Sequence, residues 1–257
     1  MDLAIILDGW PYDEQNESNN VRKIVGVDGR LKLQVRLRSG VVQWEVEGRP
    51  DGAQPWGFAS VLDHTQHLAG VQSAEEGGPK LDQALTDALL EEMRDYARRR
   101  HAFMLIGDYR HALDDARHGL CVLDVVRDRA ADRGGAARHE RQRPQLLVDR
   151  ARAEALLEIQ REQLASAVAA LTQGIEDIES YYRSSGTPDE VPRCEDRRML
   201  IDFRRSLRER YQVPLSDVEL LQTLKAEQQV AVEQEDYEMA ARLRDKINIL
   251  RARIDKT

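Results

Sequence analysis

Histidine pairs are the first side chains in this sequence that could bind a metal. His64 and His67 are three residues apart, and His111 and His118 are seven apart. A zinc site in a protein uses three or four ligands. Neither pair has a third ligand at a matching spacing, and no His-Glu-x-x-His or paired-cysteine motif occurs. We therefore expect surface or helix-capping histidines, with no metal site and no cofactor.

Nucleophilic catalysis has equally little support. Cys121 and Cys194 are the only cysteines, and they lack the paired spacing of a redox motif. No Walker loop, dinucleotide-binding glycine pattern, nucleophile elbow or Cys-His pair occurs. An active site assembled from residues far apart in the sequence remains open, but no motif favours one. We expect a non-enzymatic protein with two reduced thiols in the cytoplasm.

Two arginine-rich segments could bind phosphate. Residues 127–152 contain eight arginines and four carboxylates, and residues 193–210 contain seven arginines and four carboxylates. If the segments lie side by side, they form a basic stripe, and Arg138, Arg141 and Arg143 are the candidate phosphate contacts. Both segments are nearly without aromatic side chains for base stacking. Pairing with carboxylates on the same helices is the commoner outcome, so nucleic acid is the less favoured partner.

The overall composition limits the partners further. The net charge is -8 and the pI is near 5.4, which argues against a general binder of nucleic acid or anionic membranes. The chain begins with an apolar run of only five residues and no basic start, so we expect neither a signal peptide nor a membrane contact. Charged residues make up 33% and aromatic residues only 5%, which favours exposed helices over a large compact enzyme.

A small β module is predicted at residues 1–69. Apolar residues alternate with charged ones over 31–37 and again over 42–46, and residues 21–27 add a preceding strand that ends in an Asp-Gly turn. Each strand has one apolar face, and opposite charges should lie across the other, wet face. A ribbon of this size needs a helix against its apolar face. Residues 62–68 or a later helix should provide it.

The loop over residues 48–58 is a candidate binding site on this ribbon. It is rich in Gly and Pro, yet it also carries Arg49, Asp51, Trp56 and Phe58. Loops that present aromatic and charged side chains from a rigid scaffold often bind ligands. The favoured alternative is that Pro-Asp-Gly turns the chain while the two aromatic rings fasten the loop to the core.

Helices are predicted for the rest of the chain, so the fold class is mainly α with a small N-terminal antiparallel β module. After a linker at 70–80, residues 81–183 should form helical hairpins. The first pair, 81–106 and 108–131, turns at Gly107. After a break at Gly134 and Gly135, the second pair should be 144–163 and 165–182, which could also form one long helix. Four positions of the 108–131 helix recur 55 residues later, so this region is at most similar to tetratricopeptide repeats (TPR-like).

The C-terminal part should contain a basic helix and a helical hairpin. Residues 184–192 form a polar break, the basic helix follows at 193–211, and the hairpin occupies 216–257, with Ser216 as N-cap. Apolar residues spaced three and four apart draw a stripe along its second helix; they are Ala240, Leu243, Ile247, Leu250 and Ile254. A hairpin of this size has a marginal core, so another surface should complete the stripe.

This hairpin resembles the UVR motif of the excinuclease subunits UvrB and UvrC. The residues at matching positions are Ala231, Asp236, Tyr237, Glu238, Ala240, Ala241, Leu243, Arg244, Asp245 and Ile247. The segment 31–62 is similar to uncharacterised bacterial proteins that also carry a UVR motif. In those families the hairpin is a protein docking element, which implies that this C-terminus binds protein.

We therefore expect an adaptor that docks a partner protein through its hairpin. The predicted contact residues are Tyr237, Ala240, Leu243, Arg244, Ile247 and Leu250. One alternative is a nucleic-acid-associated repair or RNA factor that uses the arginine-rich segments. A second alternative is a self-associating structural protein in which two hairpins pair as a four-helix bundle.

Overall fold

The computed structural model describes residues 7–71, 80–215 and 217–254. The chain forms two compact units, residues 1–205 and residues 206–257. The predicted fold class is confirmed, because a small antiparallel sheet is followed by helices through to the C-terminal helical pair. The predicted N-cap Ser216 and most of the predicted linker lie outside the described residues.

The sheet is formed by β1 (Val21–Val25), β2 (Leu31–Leu37) and β3 (Gly40–Glu45), in that order and antiparallel. Residues 26–30 connect β1 to β2, and a three-residue loop lies within them, closed by bonds from the Gly26 N–H to the Arg30 carbonyl (2.8 Å) and from the Gly29 N–H to the Gly26 carbonyl (3.0 Å). Gly29 has a φ of 77°, the left-handed conformation that this loop type requires. The expected Asp-Gly turn therefore forms, one residue longer than the tightest hairpin loop.

Nine helices follow in the described part of the chain. They are α1 (Val61–Val71), α2 (Gln83–Leu105), α3 (Tyr109–Arg129), α4 (Arg133–Glu140), α5 (Arg143–Gln160), α6 (Leu164–Ser184), α7 (Glu195–Tyr211), α8 (Asp217–Glu233) and α9 (Tyr237–Ile254). A 3₁₀ helix, Pro188–Arg193, connects α6 to α7. The predicted basic helix is α7, and the predicted hairpin is α8 with α9.

The apolar face of the ribbon packs on the later helices. Val21, Leu33 and Val46 share one buried cluster with Phe103 of α2 and with residues of α3 and α5. Of the two covers that the sequence left open, the later helices provide this core. Burying both surfaces together gives the three short strands the support that they lack alone.

The other face of β2 was predicted to be exposed to solvent, but it is buried. Lys32, Gln34 and Arg36 are all buried. The predicted cross-strand pair of opposite charge does form, between Lys32 and Glu45. Arg36 donates from Nε to the carbonyl of Trp10 at 2.8 Å, so the N-terminal segment covers this face. Each polar side chain is hydrogen-bonded, which removes the main cost of burying it.

Helices α2, α3, α5 and α6 form two helical hairpins. The first turns at Gly107 (φ 71°), and the second turns at Glu162 (φ 61°), while α3 also packs against α5. The alternative of one long helix over 144–182 is wrong, because the left-handed Glu162 reverses the chain. The similarity of this region to tetratricopeptide repeats stays a prediction.

Gly134 and Gly135 do not break the helical region, as the sequence suggested, but lie in the first turn of α4. A Cβ at Gly135 would lie 2.5 Å from Asp132 Oδ2, so a glycine here lets that carboxylate approach the start of the helix. Negative charge near a helix N-terminus is favourable. The early position explains why two glycines are tolerated, since the rest of α4 supplies the helix formers.

The unit at residues 206–257 contains the α8–α9 hairpin. Its turn places Glu235 in the left-handed region (φ 60°), and the Asp236 carboxylate then caps α9 by accepting from the Met239 N–H at 3.0 Å. Ala231 of α8 packs with Ala240 and Leu243 of α9, and Leu224 closes the cluster. The predicted helical pair is therefore observed, with its turn at residues 234–236.

Candidate functional site

The apolar stripe of α9 forms the interior of the C-terminal hairpin. Ala240, Leu243, Ile247 and Leu250 are between 3% and 7% exposed. The Gln228 side chain of α8 reaches the Ala240 carbonyl at 3.3 Å, which shows how closely the two helices approach beside this small residue. Four of the six predicted contact residues thus hold the hairpin together in this state. Their contact with a partner stays a prediction.

A second set of motif residues lies on the surface of α9. Tyr237 is 68% exposed, and Arg244 is exposed and pairs among the described residues with its neighbour Asp245, at 3.2 Å. Tyr237, Ala241, Arg244 and Asn248 are spaced by four, three and four residues, so they share one face of the helix. We call these four residues the outer stripe. The hairpin core does not use the tyrosine or the arginine, which leaves them available for an external contact.

The polar residues of the 48–58 loop have structural partners. Arg49 Nε donates to Asp51 Oδ1 at 2.8 Å, and Arg49 also approaches Glu92 at 3.4 Å. The Gly52 N–H donates to the Arg49 carbonyl at 2.9 Å, which is the expected Pro-Asp-Gly turn. Arg49 and Asp51 therefore stabilise the loop itself.

The aromatic residues of this loop contact the two histidines of α1. Trp56 lies over the His64 ring with 4.3 Å between centroids, and Phe58 is 5.0 Å from the His67 ring. Trp56 remains 62% exposed and has a φ of 51°. The expectation that both aromatic rings fasten the loop to the core is therefore wrong for Trp56. Its ring covers His64 from the solvent side.

A buried carboxylate that the sequence did not single out organises this region. Glu92 of α2 is fully buried, with its side chain 0% exposed. It accepts from the Val61 N–H at 2.7 Å and the Leu62 N–H at 3.2 Å, which are free donors at the start of α1. His118 Nε2 contacts Glu92 Oε1, the oxygen that also accepts from Leu62, at 3.0 Å. No local motif could reveal this site, since its partners are about 30 residues away on both sides.

His111 lies between two carboxylates at the start of α3. Its Nδ1 is 2.7 Å from Asp108 and its Nε2 is 3.0 Å from Glu47. Burial lowers the pKa of His111, but the hydrogen bonds to Glu47 and Asp108 outweigh it, so the pKa is raised overall. Burial likewise raises the pKa of Asp108, but hydrogen bonds from Lys23 and His111 outweigh it and leave the pKa lowered. His111 is therefore an electrostatic link between α3 and the ribbon.

The three predicted phosphate contacts are not equivalent. Arg143 is only 12% exposed and pairs with Glu140 at 2.7 Å and with Asp124 at 2.9 Å. Arg138 is 76% exposed and lies 4.0 Å from Asp132, while Arg141 is exposed and has no partner among the described residues. Arg143 is thus committed to structure, and only the other two can reach a ligand.

A polar cleft adjoins α4, the helix that contains Arg138. It has a volume of about 880 Å³, and its lining includes Arg127, Arg133 and Arg141 as well as Tyr181 and Tyr182 of α6. The two tyrosines follow Arg141 by about forty residues, so no local pattern placed them beside the arginines. The aromatic side chains that the arginine-rich segments lacked are therefore supplied by α6.

Comparison with protein families agrees with the hairpin geometry. The family model described as the UvrB/uvrC motif matches residues 219–253, which are α8, α9 and the turn between them. The predicted resemblance of the hairpin is confirmed, and it fits an interaction role. No curated protein and no solved structure matches the chain.

Two further features of the described residues concern membranes and metals. Every helix within residues 7–71, 80–215 and 217–254 is too short or too polar to span a lipid bilayer. Within those ranges, no group of three or more His, Cys, Asp or Glu side chains is arranged to hold a metal ion.

Proposed function

We propose that this protein is a non-enzymatic adaptor that docks a partner protein through the α8–α9 hairpin. The observation that carries the proposal is the motif match on residues 219–253, together with the exposed outer stripe of α9. The motif residues inside the hairpin are explained by its own packing. Packing does not explain Tyr237 and Arg244, which are exposed. Tyrosine and arginine are enriched among the residues that dominate binding energy at protein interfaces.

The charge of the hairpin favours protein over a nucleic acid duplex. Residues 216–257 contain nine acidic and seven basic side chains. Binding to phosphate backbones needs an excess of positive charge. A folded partner with a pocket for Tyr237 and an acceptor for Arg244 fits the stripe better. The guanidinium group prefers a carboxylate, which it can contact through two parallel hydrogen bonds.

Capture of partners from the source lysate tests the proposal. Full-length wild type is compared with Tyr237→Ala and Arg244→Glu, each with and without nuclease. Lys246→Glu is the matched control, because it makes the same charge change on α9 outside the outer stripe. We expect both stripe variants to lose a protein that wild type and the control retain, whatever the nuclease treatment.

Three outcomes would contradict the proposal. Equal capture by all four proteins would show that the outer stripe is not the docking surface. Loss of every partner on nuclease treatment would move the function to nucleic acid. If the captured protein is the chain itself, light scattering of wild type and Tyr237→Ala would show self-association instead of an adaptor role.

A further inference from the structure

Two arginines that line the cleft beside α4 have guanidinium groups outside any close ion pair, although the charge of Arg133 helps to lower the pKa of Asp128. Arg133 donates to the carbonyl of Arg127 at 2.7 Å, and in the described part of the chain neither Arg133 nor Arg141 forms an ion pair. Arg127, by contrast, pairs with Asp124 at 3.1 Å and Asp128 at 2.7 Å. Arg133 and Arg141 therefore keep both their charge and most of their donors for a ligand.

The carboxylates in the cleft restrict what that ligand can be. Glu140 accepts two bonds of 2.7 Å from Arg143, so its charge is compensated. Glu190 also lines the cleft and forms no ion pair with a described residue. A polyphosphate or a nucleic acid strand would be repelled by Glu190. A peptide can place its acidic side chains on the arginines and its backbone N–H groups towards this glutamate.

The cleft is also lined by two aromatic, uncharged side chains. Tyr181 and Tyr182 are half-buried, with their ring centroids 5.1 Å apart and nearly perpendicular at 72°. Burial raises the pKa of both hydroxyl groups, which hydrogen-bond within the fold, Tyr181 with Ser185 and Tyr182 with Cys194. The faces of such rings can still pack against an apolar side chain of a ligand. Ser185 and Thr187 also line the cleft.

We infer that this cleft binds an acidic peptide segment of a partner protein. Two closely spaced carboxylates of the peptide pair with Arg133 and Arg141, and an aromatic or aliphatic side chain between them packs against Tyr181 and Tyr182. Arginine suits this task because its planar group binds a carboxylate through two parallel bonds. The site lies wholly within residues 1–205 and does not depend on the hairpin.

The test is fluorescence anisotropy on the full-length protein with defined probes. The first probe is a labelled peptide with a central Glu-Glu-Trp-Glu sequence, and the second replaces each Glu by Gln. We expect saturable binding of the first peptide only. Arg141→Gln should weaken it by about tenfold, the effect of losing one charge-assisted pair. Arg138→Gln is the matched control and should bind like wild type, since Arg138 is an exposed arginine in α4, three residues before Arg141, but outside the cleft lining.

The thermal stability of Arg141→Gln and two more variants distinguish peptide binding in the cleft from a folding defect or from binding at the hairpin. Arg141 is exposed, so Arg141→Gln should have the same melting temperature as wild type. Tyr182→Ala should bind the Glu-Glu-Trp-Glu peptide more weakly than wild type, because the Trp of the peptide loses a ring to pack against. Tyr237→Ala should leave peptide binding unchanged, which keeps this result independent of the docking hairpin. The inference is overturned if the Glu peptide does not bind at millimolar concentration, if Arg138→Gln loses as much affinity as Arg141→Gln, or if labelled oligouridine or ATP binds through Arg141 in its place.

Discussion

At the level of single residues, buried charged side chains that the sequence did not single out hold the fold together. Glu92 holds the start of α1, and Arg99 of α2 contacts Asp115 of α3 at 2.7 and 3.0 Å in a buried pair. Arg99 also donates to the carbonyls of Glu45 and Gly48, each at 2.8 Å. These buried charges satisfy hydrogen-bonding groups at the ends of secondary structure elements. They join the ribbon and the loop after it to the helices.

The substitution Glu92→Gln should destabilise the protein by about 1–3 kcal/mol, because an amide cannot accept from both the α1 N–H groups and His118 as a carboxylate does. Urea denaturation measures the loss. Glu91→Gln is the control, since Glu91 is the exposed neighbour on the same helix. A stability equal to that of Glu91→Gln would show that the Glu92 network contributes nothing.

A pH-dependent contribution is expected from His111. Its pKa is raised above the ordinary value of 6.5, so the folded state binds a proton more tightly than the unfolded state does. This stabilisation is complete below the ordinary value and is lost as the pH rises through the raised pKa. The wild type should therefore exceed His111→Gln in unfolding free energy by more at about pH 5.5 than at about pH 8.5.

Denaturation curves at both pH values provide the measurement. His101→Gln is the control, because His101 is exposed and touches a single exposed carboxylate, Glu17, at 3.2 Å. A stability difference for His111→Gln that does not change with pH would mean that the histidine contributes only packing against Phe103, whose ring is 5.1 Å away.

The sequence could reveal motif residues but not their exposure. Spacing alone identified the apolar stripe of α9, because period is a local property. Whether Leu243 contacts α8 or a partner depends on how closely the two helices pack. The spacing of apolar residues carries no information about that packing. Tyr181 and Tyr182 were missed for a related reason: they enter the cleft only when α6 folds back beside α4.

At the scale of elements, helices and strands were predicted best where the pattern is long. The ends of α2, α3 and α7 lie within two residues of the expected ones. The prediction was wrong at residues whose intrinsic conformational or solvation preference is overridden by contacts with neighbouring parts of the fold. Two glycines start a helix beside Asp132, and the charged face of β2 is buried under the Trp10 segment.

Close contact between α5 and α6 depends on Gly174. A Cβ at this position would lie 2.4 Å from the Cβ of Ala151, and neither helix backbone can yield without disturbing the core. Gly174→Ala should therefore destabilise the protein by about 1–3 kcal/mol despite the better helix propensity of alanine. Thermal unfolding measures the change.

Gly70→Ala provides the matched control in α1. A Cβ there meets nothing within 4 Å, so propensity alone decides the effect, and we expect no loss of stability. If Gly174→Ala were as stable as wild type, α5 and α6 would not be packed as closely as described.

The whole molecule consists of two compact units. The larger one joins the ribbon to two helical hairpins and contains the cleft, and the smaller one contains the hairpin that matches the UvrB/uvrC motif. If both proposals hold, each unit has a partner site of its own. Each unit has its own apolar cluster, so damage to one core should not spread to the other.

Leu243→Asp tests this separation. The residue is 5% exposed, and burying an unpaired carboxylate costs more than about 3 kcal/mol, which a hairpin of this size cannot offset. In the full-length protein, amide hydrogen exchange should lose its protection in α8 and α9 while α2, α3 and α5 stay protected. Ile249→Asp is the control, since Ile249 is exposed on α9 and its substitution should leave the hairpin folded. Loss of protection in both units would mean that the chain folds as one cooperative body. Unchanged protection in α9 would mean that Leu243 is reachable by solvent and is free to contact a partner, as the spacing of the motif first suggested.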